Sequence, residues 1–426
     1  MTSTTRRKFI SAISAASAAT AGLVTFASRT PGFLLETAAL GFEKAGAEKQ
    51  SSAKPGERAL VVIQLSGGND GLNTIIPIAD DLYRASRPSL AIDRNAALKI
   101  DAQTGFHPSL KGLAKLLEDR KLAILQGVGY PNPNRSHFES MDIWHTARLD
   151  LGKREAGWLG RAMDARHADL ARAADPPALH LGEEVQPLAL AARETATPSI
   201  RSFDKFRLET GGDSQRRSAI QAASSVPRTT ENNLLKFVQT RATSAWEVSR
   251  RIEQAAQEYK TPVKYPPTPL AEKLRHIAQL LDAGLATRIY YVTLDGFDTH
   301  SDQAAAHAGL LDQLSGALAA FTEDLHAHGQ QDRVLTLVFS EFGRRVRENA
   351  SRGTDHGAAA PVFLVGSRLK PGLIGRQPSL TDLDDGDLKF HTDFRQVYAA
   401  LLEKWLGWPA APILGEGFFP ADMLTV

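Results

Sequence analysis

The sequence has 426 residues and nearly balanced charge, 50 basic against 48 acidic side chains, so no excess charge advertises a nucleic-acid partner. Hydrophobic residues make up 42%, enough to bury a substantial core. Cysteine is absent, which excludes disulfides, thiolate zinc sites and cysteine nucleophiles.

In chain order, the first element is a basic cluster, Arg6-Arg7-Lys8, followed by a run rich in Ala and Ser from about Ile10 to Ala27. This is the layout of a secretory signal. The order Thr5-Arg6-Arg7-Lys8-Phe9-Ile10 matches the twin-arginine address. Residues 1–28 are therefore expected to be a signal peptide, and the protein periplasmic or extracellular. Membrane attachment is expected only through an uncleaved signal, because the run is short for a spanning helix. Loss of Arg6, Arg7 and Lys8 leaves 47 basic residues against 48 acidic, a nearly neutral mature chain. Residues 29–58 are polar and read as a flexible tether.

A single folded domain is expected over 59–426. "ALVVIQLSGG" (59–68) is a continuous apolar run closed by glycines, the mark of a strand buried on both faces. Similar runs occupy 121–129, 177–182, 288–294, 333–340 and 361–366. Helical spacing marks 107–120, 308–329 and 393–407. Alternating strands and helices predict an α/β fold with a mostly parallel sheet. The polar stretch from about 204 to 269 shows no strand signal and reads as a helical insertion, either capping the site or packing on the sheet.

Ligands in such sheets bind beyond the carboxyl ends of the strands. Asp70 follows the first apolar run; Arg135, Ser136, His137 and Glu139 follow the second. Asp295, Asp298 and His300 come after "RIYYVTL", Glu341 and Arg344 after "LTLVFS", and Asp355 and His356 lie just before "PVFLVG". Carboxylates gathered on one edge repel one another and resist burial. One or two divalent cations (zinc, manganese, magnesium or calcium) would neutralise them. The candidate ligands are Asp70, Asp298, His300, Glu341 and His356, with Asp355 as an acceptor for the His356 imidazole. Each has a plainer alternative: a turn for Asp70 in "GGND", a salt bridge to Arg344 or Arg345 for Glu341. Ser136 is the candidate nucleophile, since a hydroxyl at a helix start is favoured as an alkoxide. Ser136-x-x-Glu139 is also a capping box. Arg135 is a candidate clamp for an anionic substrate oxygen. Thr392 or Asp393 reads first as an N-cap, Asp302 as another, and His107 as capping or packing.

The landmarks "QLSGGNDGLN", "GFHPSL", "GVGYPNPNRSHFESMDIWHTA", "GWLGR", "LDGFDTHSDQ", "FSEFGRRVREN…GTDHGAAAPVFLVG" and "TDFRQVYAALLEKWLG" resemble, in order, the exported family known as domain of unknown function 1501. The resemblance covers about 59–407. That family is grouped with the alkaline phosphatase and sulfatase superfamily. The resemblance implies a three-layer α/β/α sandwich, a bimetal site, a phosphate or sulfate ester as an anionic small-molecule substrate, and an exported protein partner. It places Asp70, Asp298, His300, Glu341 and His356 as ligands and Ser136 as nucleophile. Phe342 stands where an adjacent histidine ligand is expected, which weakens one metal position unless His137 or another group replaces it. It leaves room for a second reading, a catalytically degenerate binding or assembly protein on the same scaffold. No serine sits in a Cys/Ser-x-Pro-x-Arg setting, so formylglycine sulfatase chemistry is set aside.

Overall fold

The structure, a computed structural model, describes residues 57–170, 175–200 and 259–426. The signal, nearly all of the tether, and the expected insertion up to residue 258 lie outside the described residues. The end of that insertion, 259–268, carries no helix, and a helix begins at Pro269.

All six apolar runs form strands, because a run with no polar alternation can be satisfied only where both faces are covered. They are β1 (Ala59–Ser66), β2 (Leu122–Gly129), β3 (Ala178–Leu181), β5 (Ile289–Asp295), β6 (Val334–Ser340) and β7 (Ala360–Val365). Three short strands join them: β4 (Ser199–Ile200), β8 (Gly372–Ile374) and β9 (Thr392–Asp393). The sheet runs β8-β2-β7-β6-β1-β5-β3-β4, with β9 also beside β2. Every pairing is parallel except those of β7, which runs antiparallel to β2 and β6.

Alternate residues of β1 feed two cores. Leu60 and Val62 pack with Trp144 of α2 (His137–Thr146), Trp158 of α3 (Trp158–Asp164) and Tyr398 of α6 (Phe394–Ala400). Val61, Ile63 and Leu65 pack with α1 (Lys111–Glu118), α4 (Pro269–Asp282) and α5 (Gln303–Ala327). Helices thus cover both faces, and the fold is the expected three-layer α/β/α sandwich. Helix α4 is not among the elements expected from the sequence. It is capped by the Thr268 side chain, which accepts from the Ala271 N–H, with Pro269 at its first position.

The register aligns the strand ends. Ser66 sits opposite Asp295, and Leu65 opposite Ser340. β2 points the same way, since it and β6 are both antiparallel to β7. β7 begins at that edge, directly after Asp355 and His356. Five loops carrying the candidate residues therefore meet at one edge. Two glycines allow the closest approaches. At Gly67, with φ +116°, a Cβ would lie 2.3 Å from the Asp298 nitrogen; at Gly353 one would lie 2.2 Å from the His300 carbonyl carbon. Among the described residues, no helix is long and apolar enough to cross a membrane.

Candidate metal centre

One carboxylate oxygen is the hub of the site. Asp298 Oδ1 lies 2.8 Å from Arg344 Nη2, 3.0 Å from His356 Nε2, 3.0 Å from His300 Nε2 and 3.3 Å from His137 Nε2. The two imidazole nitrogens Nε2 of His300 and His356 are 2.8 Å apart. Ligand atoms of His137, Asp298 and His356 all lie within 4.8 Å of one another, an arrangement able to hold a metal ion.

The other ring nitrogens explain this convergence. His356 Nδ1 is 2.7 Å from the Arg135 carbonyl oxygen, which can only accept, so Nδ1 carries the proton. His137 Nδ1 faces Glu341 Oε1 at 2.9 Å, and His300 Nδ1 faces Asp355 Oδ1 at 3.3 Å. Each neutral ring then turns an Nε2 lone pair inward. Lone pairs aimed at one another and at a carboxylate repel, so a proton or a cation must sit among them. The buried His137 Nε2 has no hydrogen-bond partner. Imidazoles fixed through Nδ1 by carboxylates or carbonyls are the donor set a divalent cation takes. The residues fit one such ion.

The local charge agrees. Burial works against the Asp298 carboxylate, but the Arg344 guanidinium, hydrogen-bonded to it, holds it well below the usual carboxylate range. Glu341 raises the His137 imidazole, and burial lowers that of His356. Arg344 is almost fully buried; it donates to the carbonyls of Gly67, Gly68, Phe297 and Thr354 besides Asp298. It ties three of the loops together. It pairs with Asp298, not with Glu341.

Of the expected ligands, Asp298, His300 and His356 come together, and His137 joins them. Phe342 is buried with its ring against His137 (centroids 5.0 Å) and His356 (4.6 Å). Glu341 is buried directly after β6. Its Oε1 accepts from the Gly67 N–H and faces His137 Nδ1, so it orients a histidine from behind. Asp70 follows β1. It is buried, pairs with Arg87 and accepts from Gln303 Nε2 at 2.5 Å, and caps the turn Gly71–Thr74. The Arg87 guanidinium already neutralises it. Nothing in the "RASRPSL" stretch that carries Arg87 marks it as that partner. Asp355 serves His300 in place of His356. Arg135 is tied to Asp387 and Asp385.

Ser136 is exposed at the start of α2, and its side chain makes no cap bond. Glu139 pairs with Arg154 instead, so the capping box does not form. The hydroxyl is left uncommitted between Arg135, whose carbonyl holds His356, and His137. Asp302 occupies an N-cap position without a cap bond, paired with Arg352, whereas Asp393 forms a full capping box with Gln396. Asp295 accepts from the Gly296 N–H in a local turn, and His107 Nδ1 accepts from the Ser109 N–H.

Residues 122–393, well over half of the chain, match the family described as "Protein of unknown function (DUF1501)". The chain belongs to this family. No curated protein matches this DUF1501 chain. Among solved structures it is similar to a protein in the alkaline phosphatase superfamily from Vibrio parahaemolyticus, at 8% identity and TM-score 0.39, covering 90% of this chain and 76% of that one. It is also similar to the PsFucS1 sulfatase from Pseudoalteromonas sp. (13% identity, TM-score 0.34, 83% and 70% covered) and to the phosphonate monoester hydrolase SpPMH from Silicibacter pomeroyi (10%, 0.35, 86% and 78%). Similarity this loose bears on neither site nor substrate; the DUF1501 fold rests on its own topology.

Proposed function

We propose that the chain is an exported, metal-dependent hydrolase of phosphate or sulfate esters that uses a single divalent cation. The observation that carries this reading is the inward convergence of three imidazole Nε2 atoms on Asp298. His137, His300, His356 and Asp298 would hold the ion; zinc suits three imidazoles and a carboxylate. A divalent cation at such a position neutralises ester oxygens and lowers the pKa of a neighbouring hydroxyl or water. Around it, Glu341, Asp355 and the Arg135 carbonyl keep each Nδ1 proton in place, and Phe342 excludes water from the inner side of two rings. Ser136 is the nucleophile in this reading, because its hydroxyl is not spent on a cap and the positive end of the α2 dipole favours its alkoxide. Export by the twin-arginine route rests on the Arg6-Arg7 pattern, and the division into signal, tether and a single domain from 59 rests on composition.

Elemental analysis of native protein should find one divalent ion per chain. His356→Ala and His137→Ala should each lose it. Hydrolysis of aryl phosphates and aryl sulfates should stop on chelation and return with metal. Protein purified without stoichiometric metal, and unable to gain activity from added zinc or manganese, would sink the reading.

The Asp70–Arg87 pair favours a second reading, a scaffold that binds without turnover. A metal-loaded protein that hydrolyses neither aryl ester and co-purifies with an exported partner would support it.

A further inference from the structure

Outside the central sheet, a β-hairpin pairs Leu383–Asp384 with Asp387–Leu388. Its two turn residues, Asp385 (φ +50°) and Gly386 (φ +83°), are both left-handed, as a type I′ Asp-Gly turn requires. The hairpin presents two carboxylates to two arginines, and the two acids differ sharply. Asp387 is buried, at 2% exposure. Its Oδ2 lies 2.8 Å from Arg135 Nε and 2.7 Å from Arg135 Nη2, and its Oδ1 is 3.6 Å from Arg345 Nε. Asp385 is 77% exposed, and a single oxygen, Oδ2, reaches Arg135 Nη2 at 2.9 Å and Arg345 Nη2 at 3.4 Å.

Asp387 thus anchors both guanidiniums from the protein side, while Asp385 touches the same pair from solvent. Both arginines remain about one-third exposed, at 36% and 35%. They also belong to the segments that build the cluster. The Arg135 carbonyl holds His356, and Arg345 follows Arg344 and donates its N–H to the Asp355 carbonyl. With Asp385 withdrawn, two cations face one anion and the rim is left positive.

We propose that Arg135 and Arg345 form a seat for the tetrahedral oxyanion of the substrate, and that Asp385 is a resident carboxylate occupying it until a phosphate or sulfate group displaces it. Planar guanidiniums match the oxygens of such groups bidentately. Exposed ion pairs are individually weak, so exchange of the Asp385 carboxylate for a more highly charged anion is easy. This inference rests on the reading of the site as one for anionic esters, but it does not require that a metal be bound.

The test is calorimetric titration of the chelated full chain with inorganic phosphate and, separately, inorganic sulfate. Asp385→Asn keeps the turn, since Asn-Gly is also a favoured type I′ pair, and removes only the charge. It should bind either anion about fivefold more tightly than the unaltered chain, the upper range for removal of one exposed competing pair. Asp385→Gly, which tolerates the same backbone, should show the same gain. The double variant Asp385→Asn with Arg345→Gln should lose it. Equal affinity in the unaltered chain and Asp385→Asn, a gain that survives Arg345→Gln, or absence of binding in the millimolar range would each overturn the seat. Lack of native metal would sink the metal reading and leave this titration untouched.

Discussion

Ser136 is an N-cap residue whose side chain does no capping. Replacing a capping serine with alanine ordinarily costs about 1 kcal/mol of stability. Here Ser136→Ala should cost less than about 0.5 kcal/mol in urea unfolding, as for an uninvolved surface site, and should retain the bound metal while abolishing ester hydrolysis. In the proposed site Glu341 is the reverse case, a residue that holds a ligand and not the ion. Its Oε1 accepts from the Gly67 N–H and from His137 Nδ1. Glu341→Gln puts an amide N–H against one of those donors and should weaken metal affinity about 10- to 100-fold by chelator competition. An unchanged affinity would remove Glu341 from the support of the site. That both residues stand at the strand-end edge is legible in the sequence, because each ends or follows a buried run. Their division of labour is not, because it depends on which atom faces which ring.

At the scale of elements, the site is a meeting of strand ends held by one buried arginine. Arg344 lies in the loop after β6 and bonds to the loops after β1 and β5 and to the segment before β7. Arg344→Met leaves the carbonyls of Gly67, Gly68, Phe297 and Thr354 without that donor and Asp298 without its cation. A loss of about 3–5 kcal/mol in urea unfolding is expected, as when a buried pair is broken from one side. Arg344→Lys should not restore it, since an ammonium cannot span four carbonyls and a carboxylate. The six strands were legible because a doubly covered strand has no polar alternation. Helix α4 and the short strands β4, β8 and β9 were not, since two or three residues carry no periodicity and their pairing is set by neighbours far along the chain.

For the whole molecule, two of the histidines buried among the described residues have the most depressed pKa values. His145 lies under the site between Gln64 and Tyr291, and burial lowers its pKa to about 3. His307 contacts Asn69, and burial lowers it to about 4. Both are neutral in the folded state and protonate near pH 6.5 once unfolded, so the unfolded chain binds more protons below that pH. Their contribution to stability is complete above about pH 6.5 and is lost as the pH falls toward the folded values, about 2 kcal/mol each by pH 5. His145→Gln should therefore show a clearly smaller drop in unfolding free energy between pH 7 and pH 5. An equal drop in both proteins would show that other groups govern acid unfolding.

Local patterns alone determined the α/β class with a mostly parallel sheet and the short list of acids and imidazoles at its strand ends. Those follow from burial and periodicity, which are written residue by residue. The tertiary structure decided the rest. It gave Asp70 to Arg87, Glu341 to His137 and Asp355 to His300, and it packed His137 against Phe342. A buried charge takes whichever partner lies within hydrogen-bond reach, and that reach is fixed by strand register and loop closure between segments separated by tens to hundreds of residues.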